Sequence, residues 1–412
     1  MKANKSILFI TVTFPPRLSV ASLRIYNYAK LFSENGWKVN VLTCSQKGEE
    51  KSDEFDLSGL NIIDVKWNDP FDFTHKINNK VLRRFIIKLI SFFIPYLASW
   101  WPDIRFRNWR KNTIIQANEL IQKEQITHVY SSFSPPSPHM IAYDLKKNNN
   151  NLFWIAEFRD LMSFSYNLNL FQKQFKSIHF IFEKKLLSRA NEIICVSKGQ
   201  ANLMEKKLTR PVNILLNGCD FSLYNPIKPK TNSIFTITYT GFIPKKKYDI
   251  EIFFNSISFL VKSKQLNIKV QFVGTFQSSY LLHQIQINKL IDNIIFLPRM
   301  NHKEIKRIQK SSNLLLHFCW NNKHEKGVLS GKIFEYISAR VPILSVGEEI
   351  EVKSILNETQ SGETCNSVEE INNYIAAIYK VQPKLIKLND STCKYSKLNQ
   401  FKTLESRILS LK

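Results

Sequence analysis

Short apolar runs alternate with longer amphipathic stretches along nearly the whole chain. Ile7–Val12 is continuously apolar, as expected of a strand buried on both faces. Ala21–Asn35 carries apolar residues at three- and four-residue steps and predicts a helix that ends at Gly36. Further strands in this half are predicted at Val39–Thr43, Asn61–Val65, His128–Ser132, Leu152–Glu157 and Glu192–Val196. The alternation predicts a parallel sheet built from right-handed crossover units.

A second series of the same kind begins near residue 211. Its predicted strands are Val212–Leu215, Phe235–Thr240, Lys269–Val273, Asn293–Leu297, Asn313–Phe318 and Pro342–Val346. Gly241, Gly274 and Gly347 directly follow strands, at the edge where open α/β sheets place ligand loops. The chain is therefore predicted to form two doubly wound, Rossmann-like α/β domains that face a central cleft.

The predicted first domain covers residues 1–205 and the second covers 206–390. Residues 391–412 contain apolar positions at helical spacing with no strand after them. We expect this segment to form a final helix that packs back across the domains.

A basic, aromatic region near residues 76–111 stands apart from this pattern. Two long helical windows, Val81–Ala98 and Arg105–Glu124, do not fit a minimal crossover and predict an insertion in the first domain. Residues 76–111 contain nine Lys or Arg and one acid, Asp103, interleaved with aromatic residues. Such a segment is suited to lie on an anionic membrane surface. The alternative is a pair of core helices with a solvated basic edge.

The chain of 412 residues is strongly basic, with a formal net charge of +24. This charge favours a polyanionic partner: nucleic acid, an anionic membrane, or a phosphate-bearing substrate. No RRM, KH, helix-turn-helix or zinc-finger pattern is present, so we expect no nucleic-acid partner.

The sequence predicts a cytoplasmic protein, peripheral on the inner face of the cell membrane. No stretch reaches the ~20 uncharged apolar residues of a spanning helix. The apolar run near the start is short and is followed by Phe14–Arg17 rather than by a small-residue cleavage site. The scattered cysteines show no C-x-x-C pair and are expected to be reduced.

The strongest local signal is the segment Gly327–Tyr336, which follows a predicted strand and opens a helix. Ser330 and Gly331 at the helix start leave backbone N–H groups free to bind an anion, and Lys332 adds a positive charge. Glu335 lies one turn further on the same side and could accept hydrogen bonds from a ribose. The alternative is an ordinary serine cap followed by a solvated Lys–Glu face.

A second basic cluster, Lys245–Lys247, follows Gly241. Fixed cations can stabilise a bound anion without a metal ion, and the sequence has no D-x-D pair of metal ligands. We therefore expect no metal and no cofactor. The alternative for the cluster is a solvated basic turn.

Gly331-Lys332-Ile-Phe-Glu335-Tyr336, followed by Ala339 and Pro342, resembles the donor motif of GT-B glycosyltransferases of family 4. Within that family, the segment resembles most specifically the subset that builds bacterial surface polysaccharide and lipopolysaccharide. Other stretches resemble that family in the same order: Phe14–Pro16 with Arg24, Pro102–Asp103 with Trp109, Ser132–His139, Glu157–Asp160, Val196–Ser197, Asn217–Asp220, and Tyr239–Gly241 with Lys245–Lys247.

The resemblance implies a retaining, metal-independent transfer of a sugar from a nucleotide sugar, with UDP as the expected carrier. The implied acceptor is a lipid-linked molecule or a saccharide. The resemblance assigns the donor-binding positions as Gly241, Lys246, Lys247, Arg299, Ser330, Gly331, Lys332 and Glu335. It assigns Arg24 and Arg159 to the acceptor side.

Three positions depart from the family pattern. Gly327 stands where an acid that contacts the sugar is expected, and Glu325 or His324 is the alternative residue for that role. The loop Arg17–Ser22 lacks the usual glycines. Glu157 replaces an expected aspartate.

His139 and Asp160 are the candidate catalytic residues. Each follows a predicted strand, and each could polarise an acceptor hydroxyl or stabilise positive charge on the donor sugar. As alternatives, Asp160 pairs with Arg159 or caps a helix, and His139 is an ordinary helix-start residue.

Two other functions remain open from sequence. The first is a non-hydrolysing nucleotide-sugar epimerase, and the second is a basic nucleic-acid-binding protein.

Overall fold

The computed structural model of the chain describes residues 5–17, 20–44, 55–68, 72–79, 81–89, 105–163, 175–221, 234–244, 247–320, 327–381, 385–386 and 389–410. It divides into two compact units, Met1–Leu215 and Leu216–Lys412. None of the helices in these ranges is long and apolar enough to cross a membrane.

The first unit is built on a parallel sheet with the strand order β3-β2-β1-β4-β5-β6-β7. Its strands are β1 (Ser6–Ile10), β2 (Lys38–Cys44), β3 (Leu60–Val65), β4 (His128–Phe133), β5 (Phe153–Phe158), β6 (Glu192–Cys195) and β7 (Asn213–Ile214). Strands β1, β4, β5 and β6 are buried along their whole length, which explains their mostly apolar or small residues. The charged side chain of Glu157 in β5 is paired with Arg24.

The helices of the first unit connect and cover these strands. They are α1 (Val20–Glu34), α2 (Arg107–Lys123), α3 (Ser137–Asn148), α4 (Lys176–Leu187) and α5 (Lys198–Leu208), with a 3-10 turn at Asp72–Lys76 and a helical stretch over 81–89. The strand order reverses between β1 and β4, so the first crossovers run to one side of the sheet and the later ones to the other.

Helix α2 corrects the prediction that Arg105–Glu124 belongs to an insertion. Its residues Trp109, Thr113, Ala117 and Ile121 recur every four positions and are buried. The Trp109 indole N–H donates to the Thr43 carbonyl at 3.3 Å. Helix α2 is therefore a core crossover helix between β3 and β4, and residues 105–111 of the predicted insertion begin it.

The second unit is built on a parallel sheet with the order β10-β9-β8-β11-β12-β13. Its strands are β8 (Phe235–Thr240), β9 (Ile268–Val273), β10 (Ile294–Leu297), β11 (Leu314–Phe318), β12 (Ile343–Val346) and β13 (Gly362–Cys365). Its helices are α6 (Ile250–Lys262), α7 (Ser279–Ile287), α8 (His302–Ser311), α9 (Lys332–Ala339), α10 (Ile350–Thr359), α11 (Val368–Val381), α12 (Asp390–Cys393) and α13 (Lys397–Ser410), with a 3-10 turn at Ile291–Asn293.

Two strands differ from the sequence prediction. The segment predicted as Val212–Leu215 pairs with β6 of the first sheet, so it ends the first unit and does not start the second. Strand β13 is absent from the prediction because Gly362–Cys365 is short and partly polar. An ideal Cβ at Gly362 would lie 2.0 Å from the Ile343 carbonyl oxygen, so glycine permits this close strand pairing.

Helix α13 closes the second unit. Its buried residues are Phe401, Leu404 and Ile408, which share one face. The Cys219 N–H donates to the Tyr395 carbonyl at 2.6 Å, and the Lys397 N–H donates to the Cys219 carbonyl at 2.9 Å. The first residues of the second unit are thus fixed by the segment that leads into its last helix.

Candidate functional site

The candidate site of the second unit lies where β8 and β11 part. These two strands pair only at Ile237 and Thr238 of β8. Beyond that point, β8 stays paired with β9 as far as Thr240, and β11 stays paired with β12 as far as Phe318. The strand order also reverses between β8 and β11, and such a switch point is where doubly wound sheets bind ligands.

Lys332, the first residue of helix α9, reaches this gap. Its Nζ donates to the Tyr239 hydroxyl at 3.3 Å and lies 5.2 Å from the centroid of that ring. An ideal Cβ at Gly241 would lie 2.9 Å from Lys332 Cε. Gly241 also has a φ of +106°, which favours glycine for a second reason. The structure therefore brings Gly241 and Lys332 together.

The Lys332 ammonium is desolvated without full compensation. Burial lowers its pKa, and the Glu335 carboxylate opposes this only in part. Among the described residues, no carboxylate lies within ion-pair distance of Lys332 Nζ. A partly buried cation in this condition favours an anion brought by a ligand.

A second cation, Lys247, lies in the segment between β8 and α6 and packs against the end of β11. Lys247 Nζ is 4.0 Å from the ring centroid of Trp320, which follows β11. Tyr248 stacks on Phe318 with ring centroids 5.6 Å apart, and this contact orders the segment that carries Lys247. Lys246, the other predicted phosphate contact, lies outside the described residues.

Ser330 and Gly331 form the start of helix α9. Ser330 Oγ accepts from the Lys332 N–H at 3.3 Å, and Gly331 is the N-cap residue of α9. An ideal Cβ at Gly331 would lie 3.3 Å from Asn217 Nδ2, so this glycine lets the Asn217 loop approach. The N–H groups of Ile333, Phe334 and Glu335 are bonded to the carbonyls of Ser330 and Gly331. The Lys332 ammonium and the positive end of the helix dipole are therefore what favour a bound phosphate here.

Glu335 and Arg299 are both exposed on the second unit. Glu335 lies in the first turn of α9, three residues after Lys332. An ideal Cβ at Gly274 would lie 3.7 Å from Arg299 Cα, so the loop after β10 passes the end of β9 closely. Their predicted contacts with ribose and base stay predictions.

An acid missed by the sequence prediction lies beside Gly327. The Gly327 N–H donates to Glu349 Oε2 at 3.3 Å, and Glu349 is the N-cap residue of α10. A carboxylate two residues after Gly347 at the end of β12 was the signal that could have found it. Glu325 lies outside the described residues.

Within the described ranges, no group of three or more His, Cys, Asp or Glu is arranged to hold a metal ion.

Arg24 of the first unit does not offer the exposed cation predicted for the acceptor side. Its side chain is buried, with Nε 2.8 Å from Glu157 Oε1 and Nη2 donating to the Leu215 carbonyl at 2.7 Å. Ser132 donates to the other carboxylate oxygen of Glu157 at 2.9 Å. Burial acts against the charge of Arg24, but Glu157 together with Tyr28 and Tyr130 outweighs it, and the pKa of Arg24 is raised. Arg24 thus links α1, β5 and the end of the first unit.

His139 is also buried, which corrects its predicted placement toward a ligand. Its Nδ1 is 2.7 Å from Ser131 Oγ, and its ring packs between Phe133 and Phe158. Burial lowers its pKa to about 3, so the ring is neutral at physiological pH. This position fits the alternative of a helix-start residue held in the core.

Arg159 and Asp160 follow β5 and differ in their contacts. Arg159 donates to the carbonyl of Phe133 at 3.0 Å and to that of Ser134 at 3.4 Å, so it holds the loop after β4. Asp160 is exposed, and its carboxylate makes no hydrogen bond within the described part of the chain. The structure therefore leaves Asp160 available at a strand end.

A scan against protein-family models and a search of curated proteins find no significant match to this sequence. Solved structures do match over nearly the whole chain, at low identity. Sucrose-phosphate synthase from Thermosynechococcus elongatus has a TM-score of 0.66 at 11% identity. The matched region covers 99% of this chain and 100% of the synthase chain. A glycosyltransferase from Rickettsia africae ESF-5 has a TM-score of 0.65 at 14% identity, covering 99% of each chain. The lipopolysaccharide outer core galactosyltransferase WaaB, in its apo form, has a TM-score of 0.61 at 10% identity and covers 99% of this chain and 100% of its own.

Proposed function

We propose that the chain is a retaining glycosyltransferase that moves a sugar from a nucleotide sugar, with UDP as carrier, to a lipid-linked or saccharide acceptor. Its fold supports the proposal, since it is the GT-B fold of these glycosyltransferases, two Rossmann-like units each built on a parallel sheet. We place this transfer in the synthesis of bacterial cell-surface polysaccharide. The observation that carries the proposal is Lys332, a desolvated cation without a carboxylate partner among the described residues, beside Gly241 at the switch point.

In this proposal the departing diphosphate lies between Gly241 and the start of helix α9. Lys332 and Lys247, with Lys246, neutralise the charge that develops on the leaving oxygen. Ser330 and Gly331 present the helix start to the phosphates, Glu335 binds the ribose, and the Arg299 loop meets the base. These fixed cations take the part that a metal ion plays in other transferases, so the reaction needs no divalent ion.

On the first unit, we propose that Asp160 is the residue that contacts the reacting groups. Its exposed carboxylate could accept a proton from an acceptor hydroxyl or stabilise positive charge on the sugar. His139 would need its buried Nε2 exposed to touch a substrate, so we give it no direct contact with the reacting atoms.

The first prediction is that UDP or a UDP-sugar raises the melting temperature, with no loss of effect in excess chelator. A ligand at 100 times its Kd adds about 2.7 kcal/mol to the stability of the state that binds it. The measurement is a thermal-shift series with UDP, GDP, ADP and their sugars. No shift with any of them at millimolar concentration would contradict the proposal. Turnover of a UDP-sugar in the absence of an acceptor would instead indicate an epimerase.

We also propose that residues 76–89 dock the protein on an anionic membrane. The side chains of Val81, Leu82 and Phe85 are exposed by 76%, 48% and 58%. Lys76, Arg84 and Lys88 lie among them and are exposed as well. Asn79 Oδ1 accepts from the N–H groups of Val81 and Leu82 and so starts this helix. Exposed apolar side chains interleaved with cations suit the interface of a membrane with anionic headgroups.

The second prediction is that the protein floats with liposomes that contain phosphatidylglycerol, at low salt, and is released at high salt. The double variant Val81→Ser/Phe85→Ser should lose most of this binding, because it removes two exposed apolar anchors. Ile291→Ser is the matched control, since Ile291 is 69% exposed on the second unit. Equal flotation of the control and the double variant would refute docking through 76–89.

A further inference from the structure

Tyr336 lies beneath the gap between β8 and β11. It is fully buried on helix α9, and its hydroxyl accepts from the Thr240 N–H at 3.0 Å. The same hydroxyl is 3.2 Å from Thr240 Oγ1, which also accepts from Gln309 Nε2 at 3.3 Å. The Tyr336 hydroxyl is thus bound to both the backbone and the side chain of the last residue of β8.

This contact replaces a hydrogen bond of the sheet. In a parallel sheet the N–H groups of a central strand point alternately to its two neighbours. The pairing of β8 with β11 stops at Thr238, so no strand on that side receives the Thr240 N–H. An unpaired buried N–H is costly, and the Tyr336 hydroxyl removes this cost while it keeps the two strands apart.

Helix α9 contacts two consecutive residues of β8 and its loop. Tyr336 binds Thr240, and Lys332, four positions earlier on the same face, lies against Gly241. Burial raises the pKa of Tyr336, with its contacts to Thr240 opposing this in part, so the hydroxyl keeps its proton at physiological pH. The Tyr336 contact therefore fixes the distance between the glycine loop and the helix start that carries Lys332.

We propose that Tyr336 is a positioning residue that holds open the diphosphate pocket by bridging the gap between β8 and β11. This inference rests on the proposed function, since the pocket it shapes is that of the donor diphosphate. Tyr336 itself touches no phosphate. Its hydroxyl acts through Thr240 on Gly241 and through the helix on Lys332.

The test is Tyr336→Phe, which removes only the hydroxyl. We expect affinity for UDP to weaken about tenfold, because the Thr240 N–H is left unpaired and the loop shifts to find a new acceptor. Tyr374→Phe is the matched control: Tyr374 lies on α11 of the same unit, and its hydroxyl has no hydrogen bond to a described residue. Isothermal titration gives the affinities, and thermal unfolding shows that both variants are folded.

A double-mutant cycle separates positioning from general stability. In a Lys332→Met background, Tyr336→Phe should change UDP affinity by less than about threefold, because the contact it positions is already gone. A full tenfold loss in that background, or no loss in wild type, would overturn the inference.

Hydrogen exchange tests the same contact without any ligand. In the ligand-free protein, Tyr336→Phe should speed amide exchange in residues 239–243, and Tyr374→Phe should not. Unchanged exchange there would overturn the inference. If wild type binds no nucleotide but the exchange effect is present, the proposed function fails while the structural role of Tyr336 stands.

Discussion

Lys332→Met is expected to weaken UDP binding by about 100-fold and to lower turnover of the nucleotide sugar by at least as much. Removing one partner of a buried, hydrogen-bonded charge pair costs roughly 2–5 kcal/mol, and 100-fold is about 2.7 kcal/mol. The diphosphate would lose the cation that lies over Gly241, while the shape of the pocket is kept by an unbranched side chain of similar length. Isothermal titration with UDP measures the affinity.

The same substitution should leave the ligand-free protein as stable as wild type or more stable. Burial penalises the charged form of Lys332, and its pKa is lowered accordingly. Methionine carries no such penalty, so we expect a gain of up to about 1 kcal/mol in the free energy of unfolding. Lost binding together with undiminished stability separates a ligand contact from a structural one.

The pH dependence follows from the direction of the Lys332 pKa shift. Because that pKa is lowered in the ligand-free fold, the site loses its charge at a lower pH than an ordinary lysine would. Binding of a diphosphate favours the charged form, so UDP affinity should fall as pH rises through the lowered pKa, by at most about tenfold per pH unit. Ligand-free stability should rise over the same window, since the unfolded chain then binds more protons than the folded one.

The groups around Lys332 leave this window clear. Burial lowers the pKa of His317 to about 3 and raises that of Tyr239 well above its ordinary value, so both rings are neutral while Lys332 loses its charge. Lys332→Arg should flatten the profile, because arginine keeps its charge. Lys353→Met, at an exposed lysine of α10, is the matched control and should change neither affinity nor its pH dependence. A Lys332→Met protein that binds UDP like wild type would refute the donor site.

The second large effect is on stability. Arg24→Met should lower the free energy of unfolding of the first unit by about 3–5 kcal/mol, because it leaves the Glu157 carboxylate buried without its partner. It also removes the donor to the Leu215 carbonyl, where the first unit ends. Urea denaturation followed by tryptophan fluorescence measures the loss.

Two comparisons sharpen this prediction. The double variant Arg24→Met/Glu157→Leu should be less destabilised than Arg24→Met alone, since no unpaired charge is left in the core. Asp144→Asn breaks the pair with Arg110, whose side chains are 27% and 26% exposed, and should cost less than about 1 kcal/mol. A single variant at Arg24 no more harmful than Asp144→Asn would show that the buried pair contributes little.

Most of the fold follows from local patterns, because short runs rich in apolar, β-branched and aromatic residues mark the strands. β8 has the bounds that the sequence predicts, Phe235–Thr240. The wrong assignments concern information that is not local. A two-residue strand, Asn213–Ile214, carries no mark of the sheet it joins. The partner of Arg107–Lys123 is likewise set by tertiary packing of Trp109 against β2.

The placement of some candidate-site residues also follows from local patterns, while their roles stay predictions. Gly241 and Lys332 lie at predicted strand and helix ends, and their meeting follows from sheet topology. Arg24 and His139 lie near such ends too, but sequence position does not reveal that Glu157 and Ser131 bind them from inside. Glu349 belongs to a different crossover from Gly327, so no motif spacing connects the two.

The backbone bonds between Cys219 and Tyr395–Lys397 also order events during synthesis. The first unit has its whole sheet once residue 215 has left the ribosome. The loop of Asn217, which lies against Gly331, is fixed only after some 180 further residues have been synthesised. At roughly 5–20 residues per second this takes about 10–40 s. The proposed phosphate site is therefore among the last parts of a nascent chain to mature, so an incomplete chain would contain a finished first unit without the complete proposed site.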